Sequence, residues 1–204
     1  MVLIMKKAGR SNINIFNEEE YMNTCRRFNI KPSFKESRLE FENGDFFERM
    51  KNLISIDRRG EVVFCVVRPN GNIITTTCKG YPDGIYRIPT GGLGYKENIV
   101  DAVYREVKEE LGLEVEILKF GGVIKITLTH ENENLMFYSY LFILKEKGGR
   151  LLLDALDNEI SDTKEVSAEQ FFSLVEKLNN IEGRWKDWGK FRYITSKAVL
   201  DLIY

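Results

Sequence analysis

Gly91-Gly92-Leu93-Gly94-Tyr95-Lys96-Glu97-Asn98-Ile99-Val100-Asp101-Ala102-Val103-Tyr104-Arg105-Glu106-Val107-Lys108-Glu109-Glu110-Leu111-Gly112-Leu113 is the most sharply patterned stretch of this chain. Ile99, Ala102, Val103, Val107 and Leu111 recur at spacings of three and four, which predicts a helix from Asn98 to Leu111 with one buried stripe. Gly112 is placed to cap it in the left-handed conformation. From Glu97 to Glu116 there are seven acidic residues and two basic ones, a local charge of −5. Glu106 and Glu110 stand at i and i+4 and Glu109 three residues from Glu106, so the carboxylates share a helix face. They repel one another, and they sit at the helix end where the backbone dipole disfavours anions. A hard dication among them relieves both effects, and an all-oxygen donor set suits Mg²⁺ or Mn²⁺. Arg105 can fork onto a carboxylate, with Glu97 at the helix entrance as its partner. A solvated Glu/Lys helix face would show the same spacing.

At these residues the chain resembles a known family. Gly91, then Glu97 after five residues, then after seven more Arg105-Glu106-Val107-x-Glu109-Glu110-x-Gly112-Leu113, fills every specified position of the Nudix box, G-x5-E-x7-R-E-U-x-E-E-x-G-U with U apolar. Arg87-Ile88-Pro89-Thr90 resembles the common entry to the box. Lys96 stands where members often carry glycine. The resemblance implies an α/β/α sandwich around a mixed β-sheet and hydrolysis of a nucleoside diphosphate linked to another moiety, with Mg²⁺ or Mn²⁺. It implies Glu106, Glu109 and Glu110 as metal ligands, the Gly91 carbonyl facing the metal, and Arg105 and Glu97 as the supporting network. The general base is expected from Glu109 or Glu110, or from outside the box, where Glu131, Glu133, Asp157, Glu159 and Glu165 are the candidates and Glu159 and Glu165 the favoured ones. Arg87, Tyr86 and His130 are candidate substrate contacts. Leu128 stands where ADP-ribose-cleaving members place a proline, which speaks against that substrate. The alternative reading is a Nudix-type domain used for ligand binding or regulation.

Outward from the box, Glu61 to Arg68 and Ile73 to Lys79 read as a hairpin closed by Pro69-Asn70-Gly71-Asn72. Strands are expected over Val115 to Thr129, broken near Gly121-Gly122, and over Leu135 to Leu144. Helices are expected over Ala168 to Leu178 and Ser196 to Ile203. The fold class is therefore α/β, with residues 53–180 as the hydrolase domain. Residues 1–52 form an N-terminal extension with a short helix from Glu18 to Phe28, then scattered aromatics without a period. Ile13, Ile15, Phe16, Tyr21, Phe28, Phe34, Phe41, Phe46 and Phe47 need burial, so the extension is expected to serve a dimer interface or the substrate mouth. Residues 181–204 are expected as a Trp-rich loop, whose indoles pin a C-terminal helix to the domain.

The 204 residues carry 30 Lys and Arg against 31 Asp and Glu, a net charge of −1 that argues against a dedicated nucleic-acid binder. Cys25, Cys65 and Cys78 are far apart and the single histidine is His130, which argues against a zinc site or a disulfide scaffold. No apolar run approaches a membrane span, and Met1 to Lys7 lacks the pattern of a secretory signal. A cytoplasmic homodimer acting on a small nucleotide-type substrate is the expectation.

Overall fold

The computed structural model describes residues 16–204. Ile13 and Ile15, two of the apolar residues expected to seek burial, lie outside them. The centre of the molecule is a seven-stranded mixed sheet. Its main path runs β1 (Phe34–Glu40), β5 (Leu113–His130), β6 (Glu133–Gly149), β2 (Gly60–Val67), β3 (Ile73–Cys78) and β7 (Ile160–Val166), with β4 (Thr90–Leu93) pairing β2 from outside that path. β1 is parallel to β5 and β2 to β6, whereas the β5–β6, β2–β4, β3–β7 and β2–β3 pairs are antiparallel.

Helices cover both faces. Val62, Phe64 and Val66 point to a core shared with α1 (Glu18–Arg27) and α3 (Ile99–Glu106), while Val63 and Cys65 point to the opposite core, under α2 (Gly44–Asp57), α4 (Ala168–Asn179) and α5 (Lys186–Ile203). A strand covered on both sides must be apolar throughout, which is the reason for the continuous Val62–Val67 run. The α/β/α sandwich expected from the sequence is what the chain forms. Among the described residues no helix is long and apolar enough to cross a membrane.

Four local expectations change. β2 and β3 meet only at Val67 and Ile73, because β2 takes β4 and β6 as partners and β3 turns to β7; the expected hairpin is one rung long. Gly121-Gly122 does not break β5. It carries a bulge, with Gly122 at φ 94°, that shifts the register to β6 and turns Phe120 and Val123 toward the same core despite their odd spacing. The last helix starts at Lys186 rather than Ser196, preceded by a 3₁₀ turn over Gly183–Trp185. Trp188 is thus a helical residue buried against Tyr81, ring centroids 4.4 Å apart, so the indole does pin this end of the chain.

The fourth concerns residues 16–57. The stretch from Phe34 to Met50, expected to be aperiodic, forms β1 and the first half of α2, whose N-cap Asn43 accepts the Asp45 N–H. Tyr21 packs into the α3-side core and Phe41, Phe47 and Met50 into the other, so these side chains find their burial on the chain's own sheet. The three cysteines are free thiols.

Candidate active site

The patterned helix begins as expected. Asn98 caps it by accepting the Val100 N–H at 2.9 Å, and Ile99, Val100, Ala102 and Val103 are buried. It ends differently: the regular helix stops at Glu106, and Val107–Leu111 form a π-helical turn closed by Gly112 at φ 72°. Such widened turns place side chains that a regular helix would aim elsewhere. Here Glu110 is buried at 7% exposure, while Glu109 stays half-exposed.

The turn is held from outside. The Glu109 carbonyl accepts the N–H groups of Leu156 and Asp157 at 2.8 and 3.1 Å, and the Leu111 carbonyl accepts that of Leu152 at 2.9 Å. The segment between β6 and β7 therefore satisfies carbonyls that a helix end leaves open. A Cβ at Gly112 would collide with the backbone of Asp154 and Ala155, so this docking requires the glycine for its space as well as its φ.

Arg105 organises the carboxylates. Its Nε and Nη2 grip the Glu97 carboxylate at 2.5 and 2.8 Å, its Nη1 bridges Glu106 and Glu109 at 2.9 and 2.8 Å, and its Nη2 also donates to the Gly92 carbonyl at 2.9 Å. The fork thus ties box loop, strand and helix together. Burial alone would raise the Glu97 carboxyl, but the hydrogen bonds and charge of Arg105, helped by the Gly94 N–H, hold it below its ordinary value. Gly91 on β4 lies so close to Glu106 that any Cβ there would overlap the carboxylate stem.

Glu106 and Glu110 behave in the opposite sense. Burial raises the Glu106 carboxyl despite Arg105. Burial pushes Glu110 up to about 8, with Arg87 opposing it and the negative charges of Glu106, Asp157 and Glu159 adding to it. Its Oε2 is buried without a hydrogen-bond partner among the described residues. An unpaired carboxylate oxygen in a low-dielectric setting is costly and marks a place where a cation or proton is expected.

Arg87, buried at 5% exposure, donates to the Ile88 carbonyl and to Tyr81 Oη, and its charge acts on Glu110 from the other side. Asp157, one of the acidic candidates outside the box, enters by the same geometry as Glu159. Glu165 is not brought here. It lies at the other end of β7, about 20 Å of extended chain from Glu159, and pairs with Arg68 at 2.9 Å. His130 ends β5 far from the π turn; its Nδ1 donates to the Phe41 carbonyl at 2.9 Å and its ring packs on Phe47. Tyr86 gives its hydroxyl to Asp162 on β7 at 2.5 Å and lies under Lys164 Nζ. Leu128 is core.

Residues 57–189 match the NUDIX domain family, and the chain belongs to it. Curated relatives named RNA pyrophosphohydrolase are similar over a shorter range: one from Campylobacter jejuni subsp. jejuni is 28% identical over 101 residues, and one from Campylobacter jejuni subsp. doylei is 26% identical over 104. Each match takes in 46% of this chain and 65% of the relative, so the chain spans less than two thirds of these proteins' length. Among solved structures, an ADP-ribose pyrophosphatase from Streptococcus suis aligns at 16% identity and TM-score 0.43, covering 70% of this chain and 90% of that one. A UDP-X diphosphatase aligns at 13% identity and TM-score 0.47, covering 78% and 72%. Neither likeness bears on activity.

Proposed function

We propose that this chain hydrolyses the pyrophosphate linkage of a nucleoside diphosphate joined to another moiety, with Mg²⁺ or Mn²⁺ held by Glu106, Glu109, Glu110 and the Gly91 carbonyl. The observation that carries the reading is the partnerless buried Oε2 of Glu110 beside Glu106 and the glycine strand. Among the described residues no three His, Cys, Asp or Glu side chains stand as a ready-made metal cluster. The positive charge between Glu106 and Glu109 is instead the Arg105 guanidinium. The donor chemistry nonetheless fits a hard dication: every donor is oxygen, and one buried oxygen has no partner among the described residues. Bound there, the cation would neutralise phosphoryl charge and acidify water.

The chain's own part is positional. Arg105 sets the rotamers of Glu97, Glu106 and Glu109 together, so the carboxylates meet substrate as one pre-arranged group. Glu159 and Asp157, held near Glu110 by the docked segment, supply the base that takes a proton from the attacking water, Glu159 being the preferred residue. Glu165 is left out because Arg68 engages it. Arg87 keeps a positive charge facing the same carboxylate group.

The test is turnover by purified protein with Mn²⁺ or Mg²⁺ on a panel of nucleoside diphosphate derivatives and nucleoside triphosphates. The Campylobacter relatives carry the name RNA pyrophosphohydrolase, so a 5′-triphosphorylated oligoribonucleotide belongs in the panel. Cation-dependent release of phosphate-containing product from one member is expected. No turnover across the panel, with Mn²⁺ bound, would favour a binding or regulatory domain instead.

A further inference from the structure

Helix α1 shares a core with the box helix and also hydrogen-bonds to it through Glu20. Glu20 divides its carboxylate: Oε1 accepts the backbone N–H of Ile99, the first residue of α3, at 2.7 Å, and Oε2 accepts from Arg59 Nη2 at 2.7 Å. Arg59, buried at 5% exposure, extends the contact into the box loop. Its Nε donates to the Gly94 carbonyl at 3.0 Å and its Nη2 also to the Glu97 carbonyl at 2.7 Å. Those two carbonyls bracket the loop that carries Glu97, whose carboxylate is the main counterpart of Arg105. On the other side the loop is tied to α2, where the Tyr95 N–H donates to Asp57 Oδ1 at 3.0 Å and the Tyr95 hydroxyl to the Ile54 carbonyl at 2.6 Å.

The loop needs such external ties. Gly94 to Asn98 forms neither helix nor ladder, and the bonds inside it that hold Glu97 are two long ones at 3.4 Å, from the Glu97 N–H to the Gly94 carbonyl and from the Gly94 N–H to Glu97 Oε2. The Arg105 fork can align three carboxylates only if Glu97 is held to within a fraction of an ångström. A buried, charge-assisted pair of hydrogen bonds from a separate element does this better than loop conformation can. Glu20 adds a second effect: its negative charge stands at the α3 N-terminus, where the helix dipole favours it.

We infer that Glu20 and Arg59 are a positioning pair through which α1 holds Glu97, and with it the Arg105 fork, in the geometry the carboxylate group requires. This inference rests on the proposed metal-dependent hydrolysis for its consequence in turnover, and on the hydrogen-bond chain alone for its consequence in cation affinity.

The full-length chain is compared with Glu20→Gln and Arg59→Lys, using Glu18→Gln, an exposed residue of the same helix, as reference. Mn²⁺ affinity is measured by calorimetry without substrate, and kcat and KM are measured on whichever panel substrate is turned over. Both variants are expected to bind Mn²⁺ about tenfold more weakly and to lose about tenfold in kcat, the usual range for residues that orient a ligand shell, with KM moved less than about twofold. Glu18→Gln should match wild type. A folded Glu20→Gln or Arg59→Lys with wild-type Mn²⁺ affinity overturns the inference, because a purely structural tie lowers melting temperature without touching affinity. Should neither variant fold, hydrogen exchange on the wild-type chain decides. The Ile99 amide is expected to exchange as slowly as the buried strands, and exchange at loop rates overturns the pair. If wild type binds Mn²⁺ but cleaves nothing, the hydrolase reading fails while the affinity comparison still judges the pair.

Discussion

Two glutamates are buried against opposite faces of one sheet, and they differ in what their carboxylates meet. Glu61 on β2, at 2% exposure, accepts from Ser139 Oγ at 2.8 Å and from Arg192 Nη1 of α5 at 2.7 Å. Glu110 on the π turn, at 7% exposure, keeps an oxygen with no partner among the described residues and is pushed up to about 8 by that burial and by neighbouring carboxylates. Both residues pay desolvation. Only the first recovers it inside the fold. Burial of the charge is therefore not what separates Glu110 from Glu61; the oxygen left without a partner is, and the two predict opposite responses to the same substitution.

The sharpest separation comes from Glu61→Gln. Removing one member of a buried ion pair strands Arg192, and a loss of about 3–5 kcal/mol in chemical denaturation is expected, with turnover per folded molecule unchanged. A loss below about 1 kcal/mol would put Glu61 in the class of surface pairs and end the contrast. Glu110→Gln should do the reverse. Metal-free thermal stability should be retained or raised, because the amide replaces a carboxyl whose charged form burial disfavours, while kcat falls by about 10². Mn²⁺ at a hundred times its Kd should stabilise wild type by about 2.7 kcal/mol, and that increment should vanish in the variant. Equal stabilisation of both proteins would remove Glu110 from the cation's shell.

Gly91→Ala probes the wall on which Glu106 leans. The added methyl overlaps the Glu106 stem, so strain of about 1–3 kcal/mol is expected in denaturation. Weakened Mn²⁺ affinity should accompany it, since Glu106 has to move; an unaltered affinity would show that its present rotamer is not the one that binds. The smallest effect belongs to Glu165→Gln. This carboxylate is partly exposed and paired with Arg68, so stability should change by less than about 1 kcal/mol and kcat by less than about twofold. A large kcat loss would return Glu165 to consideration as the base and displace Glu159.

Much of the site's frame was legible from local rules. Asn98 and Gly112 delimit the carboxylate helix because their side-chain and φ preferences act within a few residues, and the Ser167/Gln170 capping box announces α4 in the same way. The α2 helix has a local signature too. Asn43 as cap and Phe47, Met50 and Ile54 at spacings of three and four are its signature, blurred by Phe46 on the helix, which stacks on Phe41 before it.

The sequence by itself determined the sandwich, the carboxylate helix and the identity of the residues that meet at Arg105, because periodicity, capping and the box spacing are short-range and each residue's partner lies on its own helix or loop. Only the tertiary structure decided which distant acids join them. Glu159 and Asp157 arrive because the Glu109 carbonyl binds the backbone of the returning segment, and Glu165 departs because β7 runs away from the π turn in its register with β3. Glu20 and Arg59, 39 residues apart, meet for the same kind of reason. Such pairings depend on where whole strands and helices dock. That is set by the summed burial of two cores, and no local pattern encodes it.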